Sequence, residues 1–229
     1  MKDKLIVALD FPDFESSCKI VEELEGEVGF YKIGLEMMAS GDYFKMIDFL
    51  KNKGKKVFAD LKLYDIGATV GRTVANLAKY DIDLLTIHAA NSAIMKEAAQ
   101  NKGSMKILAV TVLTCFDKKD LLEMGFDPAL PLESLVLKKA ELSLDSGLDG
   151  VVASALEAAL LRRKLGQDFL IITPGIRLEE AGREDQKRVA SVIEALNAGA
   201  NYLVVGRPIT RALNPKDAAR KFNKIITSV

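Results

Sequence analysis

The segment FADLKLYDIGATV, residues 58–70, sets two carboxylates and an ammonium close together as Asp60, Lys62 and Asp65. Side chains of a strand alternate with period two, so Asp60 and Lys62 share one face while Ala59, Leu61 and Leu63 take the other. Charges on an inward strand face are not tolerated unpaired. Asp65 falls in the loop that follows and is positioned to curl back over the same place. A set of mutually paired charges is suited to proton transfer and to stabilising charge that develops during a reaction.

The elements that must position these groups follow from hydrophobic patterning. Eight short aliphatic runs, at 5–10, 29–34, 56–63, 84–89, 106–113, 150–154, 169–175 and 202–207, alternate with segments of helical periodicity. Phe44, Ile47, Phe49 and Leu50 form the apolar stripe of one such segment, beside Lys45, Asp48 and Lys51. Runs without strict alternation suit parallel strands covered on both faces. At about 29 residues per unit the spacing predicts a (β/α)8 barrel, a TIM barrel in one domain along residues 1–229. An open doubly wound sheet is the alternative, although the first run leads into LDFPDF rather than a glycine-rich dinucleotide fingerprint. The stretch 113–150 is longer than the other units and is broken by Pro128 and Pro131. It reads as a short extra helix, a turn, and a main helix over about 131–146.

Active sites of such barrels lie at the C-terminal strand ends. Asp10 ends the first run, Lys32 lies near the end of the second, Asp60 and Lys62 end the third, and His88 ends the fourth. Thr114 ends the fifth, Ser154 the sixth, Thr173-Pro174-Gly175 the seventh, and Gly206-Arg207 the eighth. The ends are polar or glycine, whereas the bodies are aliphatic.

Composition narrows the function classes. Lys plus Arg and Asp plus Glu number 32 each, so the chain lacks the basic excess of a nucleic-acid-binding surface. No stretch approaches the apolar length needed to span a bilayer, and the first apolar run stops at Asp10, too short for a signal-peptide core. A soluble, cytoplasmic protein is expected. Cys18 and Cys115 have no metal-ligand spacing; a disulfide is possible, and two reduced, semi-buried thiols fit a cytosolic enzyme better. With one histidine and no His/Cys cluster, no transition-metal site is suggested.

The pattern D-x-K-x-x-D-I, here Asp60, Lys62, Asp65 and Ile66, resembles the signature of the orotidine 5′-phosphate decarboxylase family. IVALDFPD is similar to that family's first strand, with Asp10, and YKIGLE to its second, with Lys32. TPGIR, EDQKR and GANYLVVGRPIT resemble its phosphate-binding end, with Arg177, Gln186, Gly206 and Arg207. The likeness runs in order from residue 5 to about 215. It departs at Gly67-Ala68-Thr69, where bacterial members commonly have Pro-Asn-Thr; at Ala89-Ala90-Asn91, where many carry a glycine pair; and at Leu113-Thr114-Cys115, in place of Leu-Thr-Ser.

The resemblance implies loss of carbon dioxide from orotidine 5′-monophosphate to give uridine 5′-monophosphate, with no cofactor and no metal. Departure of carbon dioxide leaves negative charge on a ring carbon. The ammonium of Lys62 would stabilise that charge and supply the proton. Asp60 would lie beside the substrate carboxylate, and Lys32, Asp60, Lys62 and Asp65 would form a line of alternating charge. The resemblance further implies a homodimer in which Asp65 reaches the partner's site and Thr69 is shared across the interface. Asp10, Lys32 and Thr114 would contact ribose and pyrimidine. Arg207 offers a planar fork for the phosphate, Gly206 lets backbone N–H groups approach, and Arg177 and Gln186 belong to the same end. The polar stretch 177–187 reads as a lid. The sole histidine, His88, has no nucleophile nearby in sequence and reads as a structural, hydrogen-bonded residue; Ser154 and Cys115 read as packing or loop residues. Two rivals stay open. Keto-gulonate-phosphate decarboxylases and hexulose-phosphate synthases share the D-x-K-x-x-D core but use magnesium, for which Glu36 is the extra acid on offer. A non-catalytic nucleotide-binding barrel would need the phosphate end without the charged line.

Overall fold

Strands that are aliphatic on both faces need cover on both faces, and closing the sheet on itself provides it. In the computed structural model, which describes residues 4–178 and 189–229, the runs form β1 (Leu5–Ala8), β2 (Phe30–Gly34), β3 (Lys56–Leu63), β4 (Leu84–His88), β5 (Lys106–Val110), β6 (Gly150–Val152) and β7 (Leu170–Thr173). Two short strands, β8 (Ile176–Arg177) and β9 (Ala190–Ser191), pair only with each other, and β10 (Tyr202–Val205) completes the barrel. All eight barrel strands are parallel. β1 pairs with β2 on one side and with β10 on the other, Leu5 opposite Leu203 and Val7 opposite Val205. The sheet is therefore closed, which excludes the open doubly wound alternative.

The helices are α1 (Phe14–Glu23), α2 (Leu35–Ser40), α3 (Tyr43–Asn52), α4 (Gly67–Leu77), α5 (Ser92–Gln100), α6 (Lys118–Glu123), α7 (Leu132–Asp145), α8 (Ala155–Leu165), α9 (Val192–Asn197), α10 (Arg207–Thr210) and α11 (Pro215–Ser228). The long unit is resolved as expected, with α6 as the extra helix and α7 as the main one. The stripe of α3 differs from the expected one. Tyr43, Met46, Ile47 and Leu50 are buried, at the i, i+3, i+4, i+7 spacing, while Phe44 lies off the stripe and stacks on Tyr80 at 4.6 Å between ring centroids.

Two apolar cores result from the alternation of strand side chains. One face of each strand packs with the helices in a continuous layer that includes Val7, Ile33, Ala59, Leu61, Ile87 and Phe222. The other face fills the barrel with Ile6, Ala8, Phe30, Phe58, Leu84, Leu108, Ile172 and Val204. This inner plug is the floor on which the polar strand ends stand.

A threefold device at the N-terminal strand ends holds the register. Asp83 Oδ2 accepts the N–H of Val57 at 2.9 Å, and Lys51 pairs with the same oxygen at 3.2 Å. Asp149 Oδ2 accepts the N–H of Ile107 at 2.8 Å and pairs with Lys102 at 2.6 Å. Asn201 Oδ1 accepts the N–H of Ile171 at 2.8 Å and a bond from Arg162 at 2.6 Å. Each residue stands directly before a barrel strand and clamps the start of its barrel neighbour, β3, β5 or β7, with a cation from the chain leading into that neighbour: Lys51 in α3, Lys102 just after α5, and Arg162 in α8.

Candidate active site

The third strand is long because it carries the site beyond the point where regular pleating stops. Its pairing with β4 runs Phe58 to Leu84 and Ala59 to Leu85, then resumes only at Leu63 opposite Ile87. Four steps along β3 thus match two along β4, and Lys62 within the bulge has φ 48°. A left-handed conformation costs a side-chain-bearing residue about 1–2 kcal/mol. The expected sharing of a face by Asp60 and Lys62 is achieved, but through this bulge rather than through simple alternation. The Lys62 N–H donates to Thr86 Oγ1 at 2.9 Å, and its Nζ donates to Asp60 Oδ2 at 2.8 Å.

The charges form a line across three strand ends. Lys32 Nζ lies 2.8 Å from Asp10 Oδ1 and 3.6 Å from Asp60 Oδ2, and Asp60 Oδ2 meets Lys62. The Lys32 and Asp60 side chains are 11% and 13% exposed. Burial works against the charged form of both, but the mutual attraction outweighs it. Desolvation pulls the Lys32 ammonium down, and Asp60 and Asp10 lift it above its ordinary range. Desolvation pushes the Asp60 carboxyl up, and Lys32, Lys62 and the Thr86 hydroxyl bring it below its ordinary range. Both groups are held ionised at neutral pH.

These four residues stand at one side of a cavity of about 550 Å³, within the usual range for a small-molecule site. Ala8, Phe58, Val110, Val152 and Val204 give it apolar walls, and Thr114, Arg177, Gly206 and Arg207 line it as well. Several of the expected strand ends shift in detail. β1 stops at Ala8, so Asp10 stands in the loop, and β5 stops at Val110, so Thr114 lies four residues beyond it. Arg207 is the first residue of α10 and Arg177 belongs to β8. Gly175, with φ 78°, makes the turn into β8 that a side chain would resist. Gln186, and most of the 177–187 lid reading, lie outside the described residues.

Asp65 and Thr69 are not in this cavity. Asp65 is exposed and accepts the N–H of Ile66 at 2.6 Å, so it does not curl back onto Lys62 of its own chain. Thr69 sits in the first turn of α4, where its hydroxyl accepts a long bond from Arg72 at 3.4 Å. Gly67, where bacterial members commonly have proline, begins α4 against α5. A Cβ there would meet Glu97 Cγ at 3.1 Å, and one at Gly71 would meet Asn101 and Glu97 at 3.0 and 3.1 Å. The two glycines thus let the helix bearing Thr69 pack closely on its neighbour.

His88 ends β4 half-buried, its ring edge-on to Tyr64 with centroids 5.7 Å apart. Its ring makes no hydrogen bond with a described residue, contrary to the hydrogen-bonded role expected from sequence. Burial, then Lys139 and Lys62, hold the imidazole below its ordinary range, against a smaller pull from Asp60. Ser154 stands at the N-cap position of α8, where its hydroxyl donates to the side chain of the buried Glu157 rather than accepting a backbone N–H. Both cysteines are free thiols, with Cys115 exposed rather than semi-buried. Among the described residues, no three His, Cys, Asp or Glu side chains gather as a metal-binding group. One site residue is not marked by the sequence pattern: Thr86, fully buried under Asp60 and Lys62. The available signal was a hydroxyl at an inward position of the otherwise aliphatic LLTIH strand.

Comparison with known proteins identifies the family. A family model described as orotidine 5′-phosphate decarboxylase / HUMPS family matches residues 3–222. The chain is 48% identical over 228 residues to an orotidine 5′-phosphate decarboxylase of Methylococcus capsulatus, covering 99% of this chain and 93% of the relative. It is 49% identical over 222 residues to one of Nitrobacter winogradskyi, covering 96% and 90%. The crystal structure of orotidine 5′-phosphate decarboxylase from Lactobacillus acidophilus superposes with a TM-score of 0.86 at 35% identity, covering 98% of this chain and 99% of that one.

Proposed function

The chain belongs to the orotidine 5′-phosphate decarboxylase / HUMPS family, and from that premise we propose that it is a carboxy-lyase converting orotidine 5′-monophosphate to uridine 5′-monophosphate in pyrimidine biosynthesis, without metal or cofactor. One observation carries the reading: the line Asp10–Lys32–Asp60–Lys62 borders the same cavity as Arg177 and Arg207. A ligand with a phosphate at one end and a carboxylate-bearing ring at the other satisfies both.

The substrate carboxylate lies beside Asp60, and the bond from the ring carbon to the carboxylate breaks. Its electron pair stays on the ring carbon, and carbon dioxide leaves. The Lys62 ammonium is the cation aimed at that carbon; it stabilises the pair and gives up a proton to form the new C–H bond. Lys62 then regains a proton from solvent, so each turnover consumes one proton. Asp60 serves twice in this reading. It orients Lys62, and its charge crowds the substrate carboxylate, a strain relieved as carbon dioxide departs. The phosphate is remote from the reacting carbon, but its binding energy is used to assemble the site. Arg207, Gly206 and Arg177 are assigned to it, Gln186 by resemblance to the family alone. Asp10 and Lys32 are assigned to ribose hydroxyls and Thr114 to the pyrimidine.

Magnesium chemistry of the hexulose-phosphate kind is the rival within the family. Against it, Lys32 stands between Asp10 and Asp60, so a metal seeking both carboxylates would have to displace an ammonium. The decarboxylase names of the relatives at 48% and 49% identity favour the nucleotide substrate. A non-catalytic nucleotide-binding barrel would leave the costly buried charge line without a use.

The proposal includes one barrel domain, in the cytoplasm, acting as a homodimer. No helix among the described residues is long and apolar enough to cross a membrane. Asp65 is flanked by Tyr64 and Ile66, which are 71% and 69% exposed. Apolar side chains that exposed are what a partner subunit would cover. With its own Lys62 out of reach, Asp65 is assigned to the partner's site, with Thr69 at the same interface.

The test is incubation of the purified protein with orotidine 5′-monophosphate in excess EDTA, following ultraviolet absorbance and identifying the product. Complete conversion to uridine 5′-monophosphate, at a rate that added magnesium does not raise, is the expected result. No conversion, with turnover of a sugar phosphate appearing when magnesium is supplied, would transfer the protein to the rival chemistry.

A further inference from the structure

We infer that Thr86 is a positioning residue of this site, one hydroxyl that sets the Asp60 carboxylate and the Lys62 backbone at the same time. The inference rests on the decarboxylase reading. Thr86 Oγ1 donates its proton to Asp60 Oδ1 at 2.9 Å and accepts the Lys62 N–H at 2.9 Å. A hydroxyl has one proton to give and lone pairs to receive, so the two bonds use it in complementary ways. Thr86 has no exposed surface and does not line the cavity, so it acts through its neighbours rather than on a substrate.

Each bond corrects a specific weakness. Lys62 sits at φ 48° within the bulge, where regular pairing with β4 is interrupted and its N–H has lost a ladder acceptor. The Thr86 oxygen replaces that acceptor and holds the left-handed turn that swings Lys62 Nζ to Asp60. On Asp60, both lysines approach Oδ2, leaving Oδ1 to be fixed by Thr86. The carboxylate plane is thereby locked, and with it the direction of the ammonium. Thr86 is also a stiff, β-branched side chain on a strand packed on both faces, so its rotamer is itself well defined.

Thr86→Val keeps the shape and removes both bonds; Thr86→Ser keeps the hydroxyl and removes a methyl. Steady-state kinetics with orotidine 5′-monophosphate separates them. For Thr86→Val, kcat is expected to fall by about thirtyfold or more while KM stays within about threefold, because the lost interactions orient the reacting groups and not the phosphate. For Thr86→Ser, kcat is expected within about threefold of wild type. Should Thr86→Val not fold, Thr86→Cys, with a side chain of similar size and a weak hydrogen-bonding thiol, is expected to show the same split in smaller measure. A folded Thr86→Val with wild-type kcat, or equal losses in the valine and serine variants, would overturn the assignment while the wild type turns over normally. A wild-type enzyme that leaves the substrate unchanged would overturn the decarboxylase reading and this inference with it.

Discussion

Replacing Lys62 by alanine is expected to lower kcat by at least about 10⁴-fold, since it removes both a general acid and a preorganised positive charge. Binding of uridine 5′-monophosphate is expected to survive within about tenfold, because the phosphate and ribose contacts are elsewhere in the cavity. The separation follows from geometry. Lys62 Nζ is held by Asp60 at the charged side of the pocket, and Gly206 and Arg207 line the same pocket from a different strand end. Calorimetric titration with the nucleotide, beside a turnover assay, measures both quantities. Near-normal turnover in Lys62→Ala would remove the proton-donor assignment; loss of nucleotide binding together with turnover would show Lys62 to be a binding group instead.

Asp60→Asn is expected to impair stability and turnover together. The substitution conserves shape but leaves Lys32 and Lys62 facing a neutral group. Breaking a buried charge pair by removing one partner costs about 3–5 kcal/mol, and kcat should fall by about 10²–10³. The stability loss carries a pH signature. The carboxyl of Asp60 is depressed in the folded protein, so its contribution is present above the ordinary value of 3.8 and is lost as pH falls through the lower folded value. The ammonium of Lys32 is elevated, so its contribution is present below the ordinary value of 10.5 and is lost as pH rises through the higher folded value. The gap between wild type and Asp60→Asn should therefore be full between 3.8 and 10.5 and close under stronger acid. Urea titrations across that span would show it. A gap independent of pH down to full acid unfolding would mean the pair does not stabilise the fold by charge.

Hydrophobic patterning was sufficient for the barrel because each strand is an uninterrupted aliphatic run and each helix an amphipathic one. Its limits have physical causes. Patterning extends the strands too far at Asp10, Thr114 and Arg207 because polar residues that continue a run look like its last members, whereas hydrogen bonding stops earlier. The pair β8 and β9 is too short to leave a periodic trace. Apolar character alone puts Phe44 and Phe49 on the α3 stripe, but helical geometry selects Tyr43 and Met46 beside Ile47 and Leu50. The clamps at Asp83, Asp149 and Asn201 had a visible signal, an acid or amide before alternate strands, that hydrophobicity does not register.

The charged set was readable because ions within aliphatic strands are rare and must be paired. Alternation predicts a shared side for Asp60 and Lys62, but the chain reaches it through the bulge and the left-handed Lys62, tertiary features that no local pattern encodes. Thr86 is hidden in the sequence for a related reason. A single threonine is an ordinary strand residue, and only pairing β3 beside β4 shows that its hydroxyl meets both members of the charge pair. Asp65 shows the opposite error. Sequence proximity suggested contact within the chain, but the loop turns the side chain outward between Tyr64 and Ile66.

The decisive measurement is the fate of the ring carbon that loses its carboxylate. Wild-type protein in heavy water with excess EDTA, given orotidine 5′-monophosphate, should release carbon dioxide and yield uridine 5′-monophosphate with one deuterium at that carbon, because an exchangeable ammonium supplies the proton. Nuclear magnetic resonance and mass spectrometry of the product read this out. Unchanged substrate, or a product with no deuterium at that position, would contradict metal-free decarboxylation with proton delivery by Lys62.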